Sequence, residues 1–102
     1  MEFLVQIDVH MPMDLPEAER QDLLERERDL GREYLANGPI KYVWRIPGGY
    51  RNVGVWEADD PTELHDALAA LPLFPWMTIE VTPLARHPIS PAPAGIVEGL
   101  DG

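Results

Sequence analysis

The chain has 102 residues, of which 18 are Asp or Glu, 8 are Lys or Arg and none is Cys, so its formal net charge is −10. This charge repels phosphate backbones and anionic bilayer surfaces, and we therefore expect no nucleic-acid partner and no membrane partner. The absence of Cys excludes disulfides, thiolate metal sites and a cysteine nucleophile.

The length predicts one domain, and a closed site in so small a domain would need walls from a second subunit. The chain lacks a secretory signal and any run of about 20 apolar residues, which predicts a cytoplasmic protein. We expect a folded domain over residues 1–90, followed by a Pro- and Gly-rich tail over residues 91–102.

The first half of the chain is predicted to form a strand, a long helix and a hairpin. Apolar residues alternate from Phe3 to Val9, as in a strand. A helix is expected from Pro16 to about Asn37, with Asp14 as its cap. Strands are then predicted from Ile40 to Ile46 and from Arg51 to Glu57, because a Pro-Gly-Gly turn separates them.

The second half is predicted to contain a short helix, a rigid connecting segment from Leu71 to Trp76, called the elbow, and a last strand. Asp60 is the expected helix cap, with Pro61 at the first helical position. Pro72 and Pro75 prevent the helix from continuing, and the last strand is expected from Trp76 to about Leu84.

The element order β-α-β-β-α-β predicts an α+β, ferredoxin-like fold: a four-stranded antiparallel sheet with both helices on one face. The other face of the sheet would be bare in a single chain. In small domains of this kind a second copy of the same sheet is the usual cover, and this favours a homo-oligomer.

Few residues of the chain suggest chemistry by themselves. Trp44 and Arg45 are consecutive strand residues, so they face opposite sides of the sheet. Arg45 offers a forked donor for a carboxylate or enolate oxygen, although an ion pair with a surface acid is the simpler interpretation. Tyr50 and Asn52 flank the hairpin turn, where either could donate to a substrate oxygen or only close the turn.

The histidines and the glycines give no cofactor or metal signal. His10, His65 and His87 lie on different elements and lack the spacing of a helical metal site. His65 is expected to be structural, whereas His87 follows the last strand, where pocket rims are found. No P-loop, dinucleotide fingerprint or nucleophile-elbow motif is present, so we expect no cofactor and acid–base chemistry if the chain is an enzyme.

A general base could come from the charged run on the first helix, residues 25–29. Such a run is usually a solvated face held by charge pairs. One carboxylate turned toward the sheet among apolar walls would instead have a raised pKa, as a general base requires. The charge pattern does not say which residue that is.

Several short motifs form a set with a characteristic order and spacing: Val43-Trp-Arg-Ile46, Gly48 with Tyr50 and Asn52, Leu64-His65, Leu71-Pro-Leu-Phe-Pro75, Ile79-Glu-Val81 and Arg86-His-Pro88. Taken together, they resemble the muconolactone delta-isomerase family, from the first strand to about Ser90. The resemblance implies a cofactor-free, cytoplasmic isomerase of catechol catabolism that converts muconolactone into 3-oxoadipate enol-lactone. It also implies a dimeric α/β barrel assembled into a decamer.

The resemblance also implies roles for individual residues. Glu27 matches a Glu on the first helix of the family and is the expected base, and the neighbouring Arg28 is expected to bind the carboxylate of the substrate. The expected donors to the substrate oxygens are Arg45, Tyr50, Asn52 and His87. The expected apolar walls of the pocket are Phe74 and Trp76, and Trp44 is a further expected substrate-binding residue.

Two alternatives stay open. The chain departs from the family pattern at Gly49, Trp76, Ile89 and the long tail. The first alternative is therefore a different substrate: a chlorinated muconolactone undergoing dehalogenation, or a polyketide or lactone of a biosynthetic pathway. The other alternative is a non-catalytic subunit that binds a small molecule or only assembles.

Overall fold

The computed structural model describes residues 1–89, and the tail predicted over residues 91–102 lies outside this part of the chain. The predicted order of elements is confirmed. The strands are β1 (Glu2–Val9), β2 (Ile40–Ile46), β3 (Arg51–Glu57) and β4 (Met77–Leu84), and the helices are α1 (Glu17–Asn37) and α2 (Pro61–Ala69). A short 3-10 turn, Phe74–Trp76, precedes β4. Neither helix in residues 1–89 has the length and hydropathy needed to cross a bilayer.

The four strands form one antiparallel sheet in the order β2-β3-β1-β4, which confirms the ferredoxin-like fold. Phe3, Val5 and Ile7 of β1 face the helices and are almost completely buried. They form one hydrophobic core with Trp56 of β3 and with Leu64 and Leu68 of α2. Alternation along β1 therefore determines which face of the sheet the helices cover.

The two helices begin in different ways. The backbone N–H of Glu63 donates to the side chain of Asp60 (N···Oδ1 2.8 Å), which confirms Asp60 as the cap of α2. The prediction that Asp14 caps α1 is wrong, because Pro16 occupies the capping position and no side chain bonds to the first turn. The acidic Glu17 and Glu19 in that turn interact favourably with the helix dipole instead.

The face of the sheet turned away from the helices carries exposed aromatic side chains. Tyr42 and Trp44 stack with ring centroids 5.9 Å apart and are both about half exposed. Val53 pairs with Trp44 and Val55 pairs with Tyr42, so these valines share the same face. No segment of residues 1–89 covers this aromatic surface.

Candidate active site

Helix α1 presents one carboxylate on its inward face. Four residues spaced at intervals of four, three and four lie on one side of the helix: Leu23, Glu27, Leu30 and Tyr34. Leu23 is buried, and Leu30 and Tyr34 pack against the core. Glu27 therefore occupies a position in this row that an apolar residue would ordinarily fill.

The elbow between α2 and β4 holds the Glu27 side chain. The backbone N–H of Leu73 donates a hydrogen bond to Oε1 of Glu27, with an N···O distance of 2.9 Å. Leu73 itself is only 3% exposed. The elbow that Pro72 and Pro75 predicted is thus present, and it contributes a backbone donor that the sequence analysis missed.

Burial controls the ionisation of this carboxylate. Desolvation raises the pKa of Glu27, and the hydrogen bond from Leu73 partly offsets that effect by favouring the charged form. Burial, and then the negative charge of Glu27, raise the pKa of Tyr34, whose hydroxyl donates to the Ala67 carbonyl (2.8 Å). A carboxylate with raised proton affinity is suited to accepting a proton and returning it.

Folding stability is expected to depend on the ionisation of Glu27. Because its pKa in the folded chain lies above the usual value of 4.5, the folded state binds this proton more tightly than the unfolded state. The stabilising contribution is therefore complete below that value and is lost as pH rises through the folded-state pKa. We expect urea unfolding to show the Glu27→Gln variant gaining stability over the natural chain as the pH is raised from 4.5 toward neutrality.

The matched control is Glu25→Gln, which removes one acid from the exposed side of α1. Each variant removes one carboxyl group from α1, so the difference in unfolding free energy between them isolates the burial of Glu27. A difference that stays constant across this pH range would contradict the expectation.

Two of the predicted donors lie together on the helix-facing side of the sheet. Arg45 of β2 pairs with Asn52 of β3, and Asn52 pairs with the buried Ile7 of β1. The guanidinium of Arg45 lies 3.4 Å from the Arg51 carbonyl. Tyr50 is at the same end of the sheet, because its carbonyl accepts a hydrogen bond from the N–H of Val9.

The predicted aromatic residues occupy two different surfaces. Phe74 and Trp76 are in the elbow with Leu73, and Phe74 packs edge-to-face against His65 at 6.1 Å. This packing agrees with the structural role expected of His65. Trp44 lies on the opposite face of the sheet from Arg45, so one chain does not bring these two residues to the same pocket wall.

His87 lies apart from the other predicted donors, and Arg28 is exposed beside Glu27. Leu84 at the end of β4 pairs with Glu2, whereas Tyr50 meets the other end of β1. An eight-residue strand spans about 23 Å, so His87 follows the far end of the sheet. Arg28 is exposed on α1. Within residues 1–89 no three His, Asp or Glu side chains are grouped closely enough to hold a metal ion.

Together, the fold and the site define a small ferredoxin-like domain with a half-buried carboxylate held between its first helix and a proline-framed elbow. The family model of muconolactone delta-isomerase matches residues 1–90. The chain belongs to this family.

Individual relatives agree with the family match. The muconolactone delta-isomerase of Cupriavidus pinatubonensis is 40% identical over 90 residues, which cover 88% of this chain and 98% of that protein. The enzyme of the same name from Acinetobacter baylyi is 38% identical over 90 residues, covering 88% and 94%. A crystal structure of muconolactone isomerase matches with a TM-score of 0.82 at 40% identity, covering 88% of this chain and 94% of the solved one.

Proposed function

We propose that the chain is a cofactor-free isomerase that moves the ring double bond of muconolactone to give 3-oxoadipate enol-lactone. The observation that carries this proposal is Glu27, a carboxylate half-buried on the inward face of α1 and fixed by a backbone hydrogen bond. Its raised proton affinity suits a reaction whose net change is the movement of one proton and one double bond.

In the proposed reaction, Glu27 removes a proton from the ring carbon next to the unsaturated system. The C–H electron pair enters the conjugated system to give a dienolate, and Glu27 becomes a neutral carboxylic acid. The acid then returns the proton to the carbon at the other end of the system, which restores the carboxylate and leaves the double bond shifted. One base serves both steps when both carbons lie on the same side of it.

Donors to the dienolate oxygen and to the substrate carboxylate are proposed from the hairpin end of the sheet. Arg45 and Asn52 are paired there, with Tyr50 beside them. Preorganised donors at the position where negative charge develops usually supply a large part of catalysis. Arg28 is proposed as a further partner of the substrate carboxylate, and Phe74 and Trp76 as apolar walls.

The oligomer implied by the family resemblance is part of the same proposal. The exposed Tyr42–Trp44 surface supports a dimer in which a second sheet covers it, closing an α/β barrel, with a decamer as the full assembly. Within one chain, Trp44 lies on the face of the sheet turned away from the helices, and His87 lies at the end of the sheet far from the donors. Their proposed roles at the substrate therefore require a neighbouring copy. The cytoplasmic location stays a prediction.

The function is tested by adding muconolactone to the purified chain and following the ultraviolet absorbance of the substrate and product. We expect turnover with no added metal or cofactor, because the proposed chemistry needs only protein acids and donors. Product identity is then confirmed by NMR.

The same assay separates the alternatives. Turnover of a chlorinated muconolactone with chloride release, and none of muconolactone, would favour dehalogenation. Lactone binding that raises the unfolding temperature without turnover of any lactone would favour a non-catalytic subunit. Either result would contradict the proposed isomerase.

A further inference from the structure

The hydrogen bonds of the elbow account for every backbone N–H from Leu71 to Trp76. The N–H groups of Leu71, Phe74 and Trp76 bond to carbonyls at Leu68, Leu71 and Leu73, respectively. Pro72 and Pro75 have no N–H to donate. The other acceptors lie three residues before their donors, whereas the N–H of Leu73 bonds to Glu27, 46 residues earlier in the chain.

Local backbone geometry explains why this donor is available. The Phe74 N–H to Leu71 carbonyl bond (2.9 Å) closes a turn with Pro72 and Leu73 at its centre. Leu73 has φ −90° and ψ 4°, the conformation of the third residue of a type I turn, and Pro favours the position before it. The hydrogen bond that closes such a turn leaves the N–H of its third residue free to point outward.

We propose that the backbone amide of Leu73 is a positioning group for the general base, holding Oε1 of Glu27 so that Oε2 accepts and returns the substrate proton. This inference rests on the proposed function. The substrate C–H bond breaks as the Oε2–H bond forms, and the Oε2–H bond breaks as the new C–H bond forms. Oε1 accepts the Leu73 hydrogen bond in the charged and in the neutral state of Glu27. This hydrogen bond, called the clamp below, therefore persists through both proton transfers.

The clamp has two physical consequences. It prevents the carboxylate from rotating away between the two transfers, and misplacement of a reacting group by about 1 Å can cost roughly 100-fold in rate. It also opposes burial by stabilising the carboxylate form, so it keeps Glu27 able to act as a base and not only as an acid.

The experiment replaces Leu73 with the α-hydroxy acid that carries the same side chain, which changes the amide to an ester and puts an oxygen that cannot donate in place of the N–H. We expect kcat to fall by roughly 10- to 100-fold with little change in KM. We also expect the acidic limb of the kcat/KM profile to move to higher pH, because the pKa of Glu27 rises when the donor is lost. A kcat and an acidic limb both equal to those of the natural chain would overturn the proposal.

The matched control is Leu73→Ala, which keeps the N–H and loses the buried side chain. A purely structural role of Leu73 predicts lower stability in this variant, with the acidic limb where it is in the natural chain. If Leu73→Ala moved the acidic limb as far as the ester does, side-chain packing and not the amide would be the cause, and the proposal would fail.

NMR of the natural chain gives a second test that requires no measurement of activity. The Leu73 amide proton should titrate in step with the side-chain carboxyl carbon of Glu27 and should lose this titration in Glu27→Gln. An amide proton that does not follow Glu27 overturns the clamp. Full turnover by Glu27→Gln would instead overturn the assignment of the base, so the two failures are distinguishable.

Discussion

Replacing Glu27 by Gln is expected to lower kcat by roughly 10²- to 10⁴-fold, the range that a positioned general base usually contributes. The amide of Gln has nearly the same shape as the carboxylate, and its carbonyl oxygen can still accept the hydrogen bond from Leu73. It cannot accept the substrate proton. The variant therefore removes the proposed chemistry while preserving the packing around the inward face of α1.

Steady-state turnover of muconolactone is the measurement, and Glu25→Gln is the control because it removes an exposed acid two residues away on the same helix. The control should keep the activity of the natural chain. Because neutral Gln avoids the cost of burying a charge, Glu27→Gln should also unfold at a higher temperature near neutral pH. Near-normal turnover in a folded Glu27→Gln variant would eliminate Glu27 as the base.

Most of the fold could be predicted because its signals are local. Alternation of apolar residues determines β1, and paired Pro and Gly residues locate the hairpin and the elbow. Asp60 followed by Pro61 marks the start of α2. The error at Asp14 has the same origin: a plausible capping residue lies near the helix, but the capping position is two residues later, at Pro16.

The position of Glu27 also has a local signal in the sequence, in the spacing of apolar residues along α1. Leu23, Leu30 and Tyr34 define an apolar row along α1, and Glu27 falls on that row. Glu25 and Asp29, from the same charged run, do not. The spacing of apolar residues along α1 is therefore enough to distinguish the inward carboxylate of Glu27 from the solvated carboxylates, without reference to a family.

The contacts that complete the site are long-range and could not be predicted in this way. The bond from Leu73 to Glu27 joins residues 46 positions apart and depends on how the elbow packs against α1. Strand register determines that Arg45 and Asn52 share a face while Trp44 takes the other. The separation of His87 from Tyr50 likewise follows from the antiparallel pairing of β1 and β4.

The same substitution at two glycines is expected to change stability in opposite directions. A Cβ built at Gly54 would lie 2.5 Å from the backbone carbonyl oxygen of Tyr42 and 3.4 Å from the Cα of Val43. Both contacts are with the backbone of β2, so no side-chain rotation relieves them. We expect Gly54→Ala to lower the free energy of unfolding by about 3 kcal/mol, near the upper end for overpacking a core.

Gly31 is the matched control, because it lies inside α1 and a Cβ there meets no atom within 4 Å other than the adjoining helix backbone. Gly31→Ala should raise the free energy of unfolding by about 1 kcal/mol, since Ala loses less backbone entropy in a helix. Urea unfolding of both variants measures the difference. Equal effects of the two substitutions would show that the close approach of β2 to β3 at Gly54 does not constrain the sheet that carries Arg45 and Asn52.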